Sequence, residues 1–107
     1  ASEKQVEAMV WDQLRTCFDP EIPVNIVDLG LVYDCVVSDT ENGQKQVNVV
    51  MTLTAPGCGM GHVIAGDARR QLEGISTVAQ VNVEVVFDPP WRPDMMSDAA
   101  KLQMGML

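Results

Sequence analysis

The centre of the chain reads QVNVVMTLTAPGCGMGHVIAGDARRQLE at residues 46–73, and this stretch decides the fold. Apolar and polar residues alternate over residues 46–53, which predicts a half-buried strand, whereas residues 61–73 have the apolar spacing of a helix. The loop between them carries a single cysteine, Cys58, among glycines. The predicted inward residues are Val47, Val49, Met51 and Leu53 on the strand, and Ile64, Ala65, Ala68 and Leu72 on the helix.

Further elements lie on both sides of this centre. Ser2 and Gln5 have the spacing of a capping box, and Ser97 is placed to cap a short last helix. The flanking elements are a helix over residues 2–17, strands over 31–37 and 78–87, and a helix over 98–104, with Val81, Val83, Val85 and Phe87 inward on the last strand. This order, αββαβα, predicts a single α+β domain over residues 1–107 with a small mixed three-stranded sheet.

The pairing of the strands follows from their connections. The first two strands are joined by a longer connection that contains the hairpin dipeptide Asn42-Gly43, and they should pair antiparallel. The third strand returns through a right-handed crossover over the helix, so it should lie parallel to one of them. The helices then pack on one face of the sheet. The other face is mostly polar but carries Val36, Val50 and Val86, and we therefore expect self-association, with a homodimer as its simplest form.

The composition excludes several classes of function. The chain has 7 basic and 15 acidic residues and a net charge of −8, which repels nucleic-acid phosphates. No apolar run approaches the roughly 18 residues of a membrane span, and no signal-peptide pattern opens the chain. Three cysteines do not form a disulfide framework, so we expect reduced thiols and a cytoplasmic protein. Since the first residue is Ala1, the sequence is compatible with a preceding N-terminal segment.

Cys58 is the predicted reactive thiol. Because Gly57 and Gly59 have no side chains, the backbone on both sides of Cys58 is accessible. The helix that follows presents unpaired N–H groups and the positive end of its dipole. Such a position stabilises the thiolate, which is the form that attacks electrophiles or binds metal. A free cysteine is also often a small buried hydrophobe. We expect that simpler role for Cys17 and Cys35.

Several loops are predicted to meet the cysteine loop at one edge of the sheet. The first strand starts where the second ends, which brings the acidic residues Asp19, Glu21 and Asp28 toward Cys58. Thiolate and carboxylate ligands together suit iron, zinc and iron–sulfur clusters. Asp28 has a second interpretation as a turn former. Trp91, set in a proline-rich segment, either closes an edge of the core or covers the thiol.

Two further functions stay open on the residues alone. His62 could act as a base for Cys58 in a thiol-dependent enzyme, although the sequence shows no group that would orient it. Alternatively, the protein could be a purely structural module whose acidic surface docks a basic partner. Only this last function predicts that substitution of Cys58 leaves activity intact.

Three stretches of the chain together resemble a known family. They are DPEIPVNIVDLGLVY at residues 19–33, MTLTAPGC at 51–58 and DPPW at 88–91. In this order and spacing they resemble the SufT-like small iron–sulfur cluster assembly proteins, and the resemblance covers nearly the whole chain. It implies a non-enzymatic role in maturing iron–sulfur proteins, together with scaffold, carrier or client proteins.

The resemblance also assigns residues. The reactive cysteine of the family falls on Cys58, and its acidic loop motif falls on Asp19, Glu21 and Asp28. Cys58, Glu21 and Asp28 are predicted to bind a transient iron or iron–sulfur cluster that is not tightly bound, with Cys58 and Glu21 as the metal ligands. Alternatively, Cys58 is a docking thiol for a partner. The supporting loop residues are Asp19, Thr54, Gly57, Gly59 and Trp91. The related PaaD-like factors of phenylacetate degradation have a cysteine-rich C-terminal tail, and this chain has no cysteine after position 58.

Overall fold

The computed structural model describes residues 2–18, 24–54 and 61–105, without the side chains of residues 61 and 62. The elements are α1 (Glu3–Leu14), β1 (Val32–Asp39), β2 (Lys45–Met51), α2 (Gly61–Glu73), β3 (Val78–Val85), a 3₁₀ turn (Pro93–Met95) and α3 (Asp98–Gln103). The order αββαβα and the α+β class predicted from the sequence are therefore confirmed. Among the described residues, no helix is long and apolar enough to cross a membrane.

The first helix begins as predicted but ends earlier. The Oγ of Ser2 accepts a hydrogen bond from the Gln5 N–H at 3.2 Å, and the Gln5 side chain accepts one from the Ser2 N–H at 2.9 Å. The helix ends at Leu14 rather than at Cys17 because the chain tightens there. The Thr16 N–H bonds the Gln13 carbonyl at 3.0 Å and the Cys17 N–H bonds the Leu14 carbonyl at 3.1 Å, both three residues back.

The sheet has the strand order β1-β2-β3, with β1 antiparallel and β3 parallel to the central strand β2. The inward residues of β2 are fully buried under α1 and α2, as the alternation predicts. The core combines one face of the sheet, the apolar stripes of both helices and the turn before β1, and includes Val6, Val10, Leu14, Ile26, Leu29, Leu31, Val47, Val49, Met51, Ile64, Ala68, Leu72 and Val81.

The two strands that lead to the predicted site edge are shorter than expected. The strand β2 ends at Met51, and the Thr52 N–H makes one further bond in the same register, to the Leu31 carbonyl at 2.8 Å. The strand β3 ends at Val85, and the Val86 N–H makes the last backbone bond to β2, at the Met51 carbonyl. The prediction that Phe87 points inward was therefore wrong: its side chain is 49% exposed. Leu53 is buried as predicted.

The face of the sheet away from the helices is called the open face below. It includes Asp34 and Val36 from β1, Asn48 and Val50 from β2, and Asn82 and Glu84 from β3. The Asn82 Nδ2 donates a hydrogen bond to the Asn48 Oδ1 at 3.0 Å, and this pair links β3 to β2. The predicted mixture of polar and isolated apolar residues is present on this face. Whether it mediates a homodimer stays a prediction.

Candidate functional site

The ends of three strands meet at one edge of the sheet, as predicted. The Thr52 N–H donates to the Leu31 carbonyl at 2.8 Å, which joins the end of β2 to the start of β1. On the other side, the Val86 N–H donates to the Met51 carbonyl at 2.8 Å, which joins β3 to the same edge. The chain leaves this edge at Thr54 and re-enters the described structure at Gly61, the first residue of α2.

Several predicted site residues lie in the two segments outside the described residues. These residues are Asp19 and Glu21 in the first segment, and Gly57, Cys58 and Gly59 in the second. The side chain of His62 also lies outside the described part. The structure places the other three predicted residues, Asp28, Thr54 and Trp91, on the segments that border the shared edge. Among the residues that the structure describes, no group of three or more histidine, cysteine or acidic side chains could hold a metal ion.

Asp28 belongs to a turn that is closed by paired side chains. Its Oδ2 accepts a hydrogen bond from the Asn25 Nδ2 at 2.8 Å, and its backbone N–H donates to the Asn25 Oδ1 at 2.9 Å. Reciprocal bonds of this kind hold the turn in one conformation just before β1. The structure therefore bears out the turn-forming role of Asp28, and the same bonds orient its half-buried carboxylate. Asn25 was not among the residues predicted for the site, although its spacing from Asp28 is that of a side-chain-closed turn.

Gly30 ends this turn at a position that only glycine fits. Its φ is +81°, in the left-handed region that other residues rarely adopt. A Cβ atom at this position would also lie 2.9 Å from the carbonyl carbon of Met95 and closer still to its oxygen. The backbone of the C-terminal segment thus packs directly on the glycine. No signal in the local sequence predicts this second constraint, because Met95 is distant along the chain.

Residues 86–97 cross the turn and are called the strap below. The Trp91 Nε1 donates to the Leu29 carbonyl at 2.7 Å, and the Ser97 N–H donates to the Asp28 carbonyl at 2.8 Å. On the strand side, the Tyr33 hydroxyl donates to the Pro89 carbonyl at 2.7 Å. The half-buried Trp91 also packs against the core. The strap therefore connects the end of β3 to the turn and to the start of β1, and Trp91 closes an edge of the core.

The two described cysteines have the properties of packing residues. Cys17 is 4% exposed, and burial raises the pKa of its thiol, with Asp67 adding to the rise and a hydrogen bond from Thr16 opposing it. Burial, followed by the charges of Glu7 and Asp34, raises the pKa of Cys35 to about 11. Both side chains are therefore neutral thiols near pH 7, which is the form that reacts poorly with electrophiles and metals.

Fold and edge together define a class: small α+β domains in which a glycine-flanked cysteine loop joins the central strand of a mixed three-stranded sheet to a helix. Residues 7–85 match the sequence model of a family described as iron–sulfur cluster assembly protein. The match covers most of the chain, and the chain belongs to this family. The resemblance inferred from the three sequence motifs is thereby confirmed.

Individual relatives agree with this assignment. A Porphyromonas gingivalis protein named Fe-S protein maturation auxiliary factor is 43% identical over 103 residues, which cover 96% of this chain and 94% of the relative. The Bacillus subtilis Fe-S protein maturation auxiliary factor YitW is 36% identical, with 97% and 98% of the two chains covered. A crystal structure of a DUF59 domain of unknown function from Bacillus anthracis superimposes with a TM-score of 0.83 at 36% identity, covering 98% of this chain and 96% of that one.

Proposed function

We propose that this protein is a non-enzymatic maturation factor for iron–sulfur proteins, in which Cys58 is a transient ligand for iron or a cluster, or a docking thiol. Membership of the iron–sulfur cluster assembly family over residues 7–85 is the observation that carries the proposal. The names of the relatives from Porphyromonas gingivalis and Bacillus subtilis, both maturation auxiliary factors, support it.

The shared edge of the sheet supports the proposed position of the site. The cysteine loop begins after Thr54, two residues beyond the bond of Thr52 to Leu31, and ends at the first residue of α2. Cys58 lies a few residues before a helix of 13 residues, so the dipole of α2 favours negative charge near it. In the proposed site, Cys58 and Glu21 bind the metal and the oriented carboxylate of Asp28 lies beside them. Asp19, Thr54, Gly57, Gly59 and Trp91 support the loops.

The number of ligands supports a transient role. One thiolate and one or two carboxylates leave iron or a cluster with open coordination positions, which cysteines of a second protein can fill. The cluster is then cargo that moves between proteins by exchange of ligands, with no change in its oxidation state. The proposed partners are accordingly iron–sulfur scaffold, carrier and client proteins. A tightly closed site would oppose such exchange.

A comparison of cysteine variants tests the proposal. We expect Cys58→Ser to lose iron and sulfide retention in anaerobic reconstitution, measured by absorbance and native mass spectrometry. We also expect it to fail to restore the activity of iron–sulfur enzymes in cells that lack this protein. The matched control is Cys35→Ser, which removes a neutral packing thiol and should retain both functions. A Cys58→Ser protein that behaves like the control in both measurements would exclude Cys58 from the function.

A further inference from the structure

We infer that the open face of the sheet is a docking surface for a cationic segment of a protein partner that presents an aliphatic side chain between two basic ones. This inference goes beyond the proposed function and does not depend on Cys58. It rests on the register of the three strands, on the charges that the fold leaves unpaired, and on the exposure of one aliphatic residue among them.

The register of the strands places the two acidic residues in one row, with an aliphatic residue between them and another in the next row. Asp34, Val50 and Glu84 face each other across the three strands and form one row. Because neighbouring strands are about 4.8 Å apart, the two acidic residues lie roughly 10 Å from each other with Val50 between them. The next row carries Val36, whose side chain is 48% exposed. The face thus has two diagonally adjacent valines, one on β2 and one on β1, and an acidic residue on each edge strand.

The acidic residues of the open face have no basic partner among the described residues. Within the described part of the chain, neither Asp34 nor Glu84 forms a salt bridge, and both are exposed. Other exposed carboxylates of the described chain, such as Glu3, Glu41 and Asp98, also lack a salt bridge. Asp34 and Glu84 are therefore distinguished by their position beside the valines of the sheet. The open face therefore presents unneutralised charge beside an exposed aliphatic side chain, which is complementary to a cationic and partly apolar surface.

The polar pair on the same face adds directional contacts. The Asn82 Nδ2 donates to the Asn48 Oδ1, so this bond fixes the orientation of both amides. The remaining amide groups, the Asn48 Nδ2 and the Asn82 Oδ1, can then donate to and accept from a docked backbone.

Charge also distinguishes the cationic partner from a second copy of the chain. Two open faces in contact would bring four carboxylates together, and like charges across an interface are strongly unfavourable. A cationic partner would instead be attracted by the net charge of −8 over long range. The charges of the open face therefore favour a cationic partner over the homodimer as its occupant.

A titration followed by ¹⁵N NMR tests this inference. The probe is a capped pentapeptide of alternating lysine and valine, and a peptide with glutamate in place of lysine is its control. We expect shifts of the open-face amides with the lysine peptide alone. Asp34→Asn and Glu84→Gln should each weaken its affinity about two- to fivefold, the range for exposed ion pairs. Added salt should weaken it further.

The matched control variant is Asp12→Asn, which removes the same charge from an exposed site on α1. It should leave the affinity unchanged. Two results would show that the binding is only general charge attraction and would overturn the inference. One is an equal loss of peptide affinity in Asp12→Asn and Glu84→Gln, and the other is amide shifts distributed over the helices. Open-face shifts that depend on protein concentration without peptide would also overturn it, in favour of a second copy of the chain.

Discussion

At the residue scale, three cysteines in one small domain have different electrostatic surroundings. Cys17 lies in the core and Cys35 packs against it, and their pKa values are raised mainly by burial. Cys58 is predicted to have the opposite property, because its loop leads into a helix N-terminus. This contrast separates packing thiols from the proposed functional one, and it can be measured directly.

We predict that Cys58 is alkylated by iodoacetamide fastest of the three cysteines in the folded protein at pH 7.5. The pKa of Cys35 is about 11. At pH values below this, each increase of one pH unit raises the thiolate fraction of Cys35 about tenfold. Its alkylation rate should therefore rise with the same slope between pH 8 and 10. Peptide mapping by mass spectrometry measures both rates. Preferential labelling of Cys17 or Cys35 at pH 7.5 would contradict the prediction.

We predict that Glu21→Gln lowers the pKa of Cys58 in the metal-free protein and weakens iron binding. In the proposed site, the Glu21 carboxylate disfavours the thiolate but attracts the cation. A bound metal deprotonates the thiol despite the nearby carboxylate. The pKa is measured by thiolate absorbance against pH, and iron affinity by anaerobic titration. If both quantities are unchanged, Glu21 is a loop residue outside the site.

We predict that Gly30→Ala destabilises the fold more than Gly43→Ala. Both glycines have positive φ, +81° and +76°, so both substitutions carry the left-handed strain of about 1–2 kcal/mol. Only at Gly30 would the new Cβ also meet the strap at Met95, since nothing lies within 4 Å of the same position at Gly43. Urea unfolding of the two variants measures the difference. Equal losses of unfolding free energy in the two variants would show that the strap moves to accommodate the new Cβ without destabilising the fold.

At the scale of elements, the strap joins parts of the chain that are far apart in sequence. Its hydrogen bonds reach Leu29 through Trp91, Tyr33 through Pro89, and Asp28 through Ser97. These contacts hold the turn and the start of β1 at the edge from which the cysteine loop leaves. The strap is therefore the element that positions the described border of the proposed site.

We predict that Trp91→Phe lowers the free energy of unfolding by about 1–3 kcal/mol. A smaller aromatic ring remains, but the partly buried Leu29 carbonyl loses the indole N–H that donates to it at 2.7 Å. Hydrogen exchange should accelerate in the turn at residues 26–31 more than in β2. Tyr33→Phe, which removes the other side-chain bond to the strap, is the comparison. Unchanged exchange in the turn would mean that the strap does not hold it.

At the scale of the whole molecule, charge opposes folding. The net charge of −8 is distributed over a domain of 107 residues, and self-repulsion favours expansion of the chain. The five described salt bridges act in the opposite direction, but all involve at least one exposed partner. Such pairs contribute little individually. Repulsion should therefore dominate the response of stability to salt.

We predict that the urea midpoint of unfolding rises when sodium chloride is increased from 0.01 to 0.3 M at pH 7.5. Screening over this range shortens the distance at which exposed charges interact from about 30 Å to below 8 Å, and so relieves the long-range repulsion. Circular dichroism at each salt concentration gives the midpoint. A falling midpoint would show that the surface salt bridges outweigh the repulsion.

The sequence by itself determined the order of the elements, the parallel and antiparallel pairing, and the family. Periodicity and capping are local properties, so the buried residues of β2, the stripe of α2 and the Ser2 cap were predicted correctly. The three motifs likewise identified the family without a structure. The structure does not test the assignment of Cys58, Glu21 and their neighbours to the site, which stays a proposal.

Only the tertiary structure decided where the strands end and how the site edge is held. Phe87 continues the alternation of β3, but the ladder between β2 and β3 ends at Met51 and Val85, and Phe87 lies beyond it and is exposed. The position of the strap depends on hydrogen bonds between residues that are distant in the sequence. Trp91 and Leu29 are 62 positions apart, and Tyr33 and Pro89 are 56 apart. Such contacts form only when the sheet has brought distant segments together, and no local pattern encodes them.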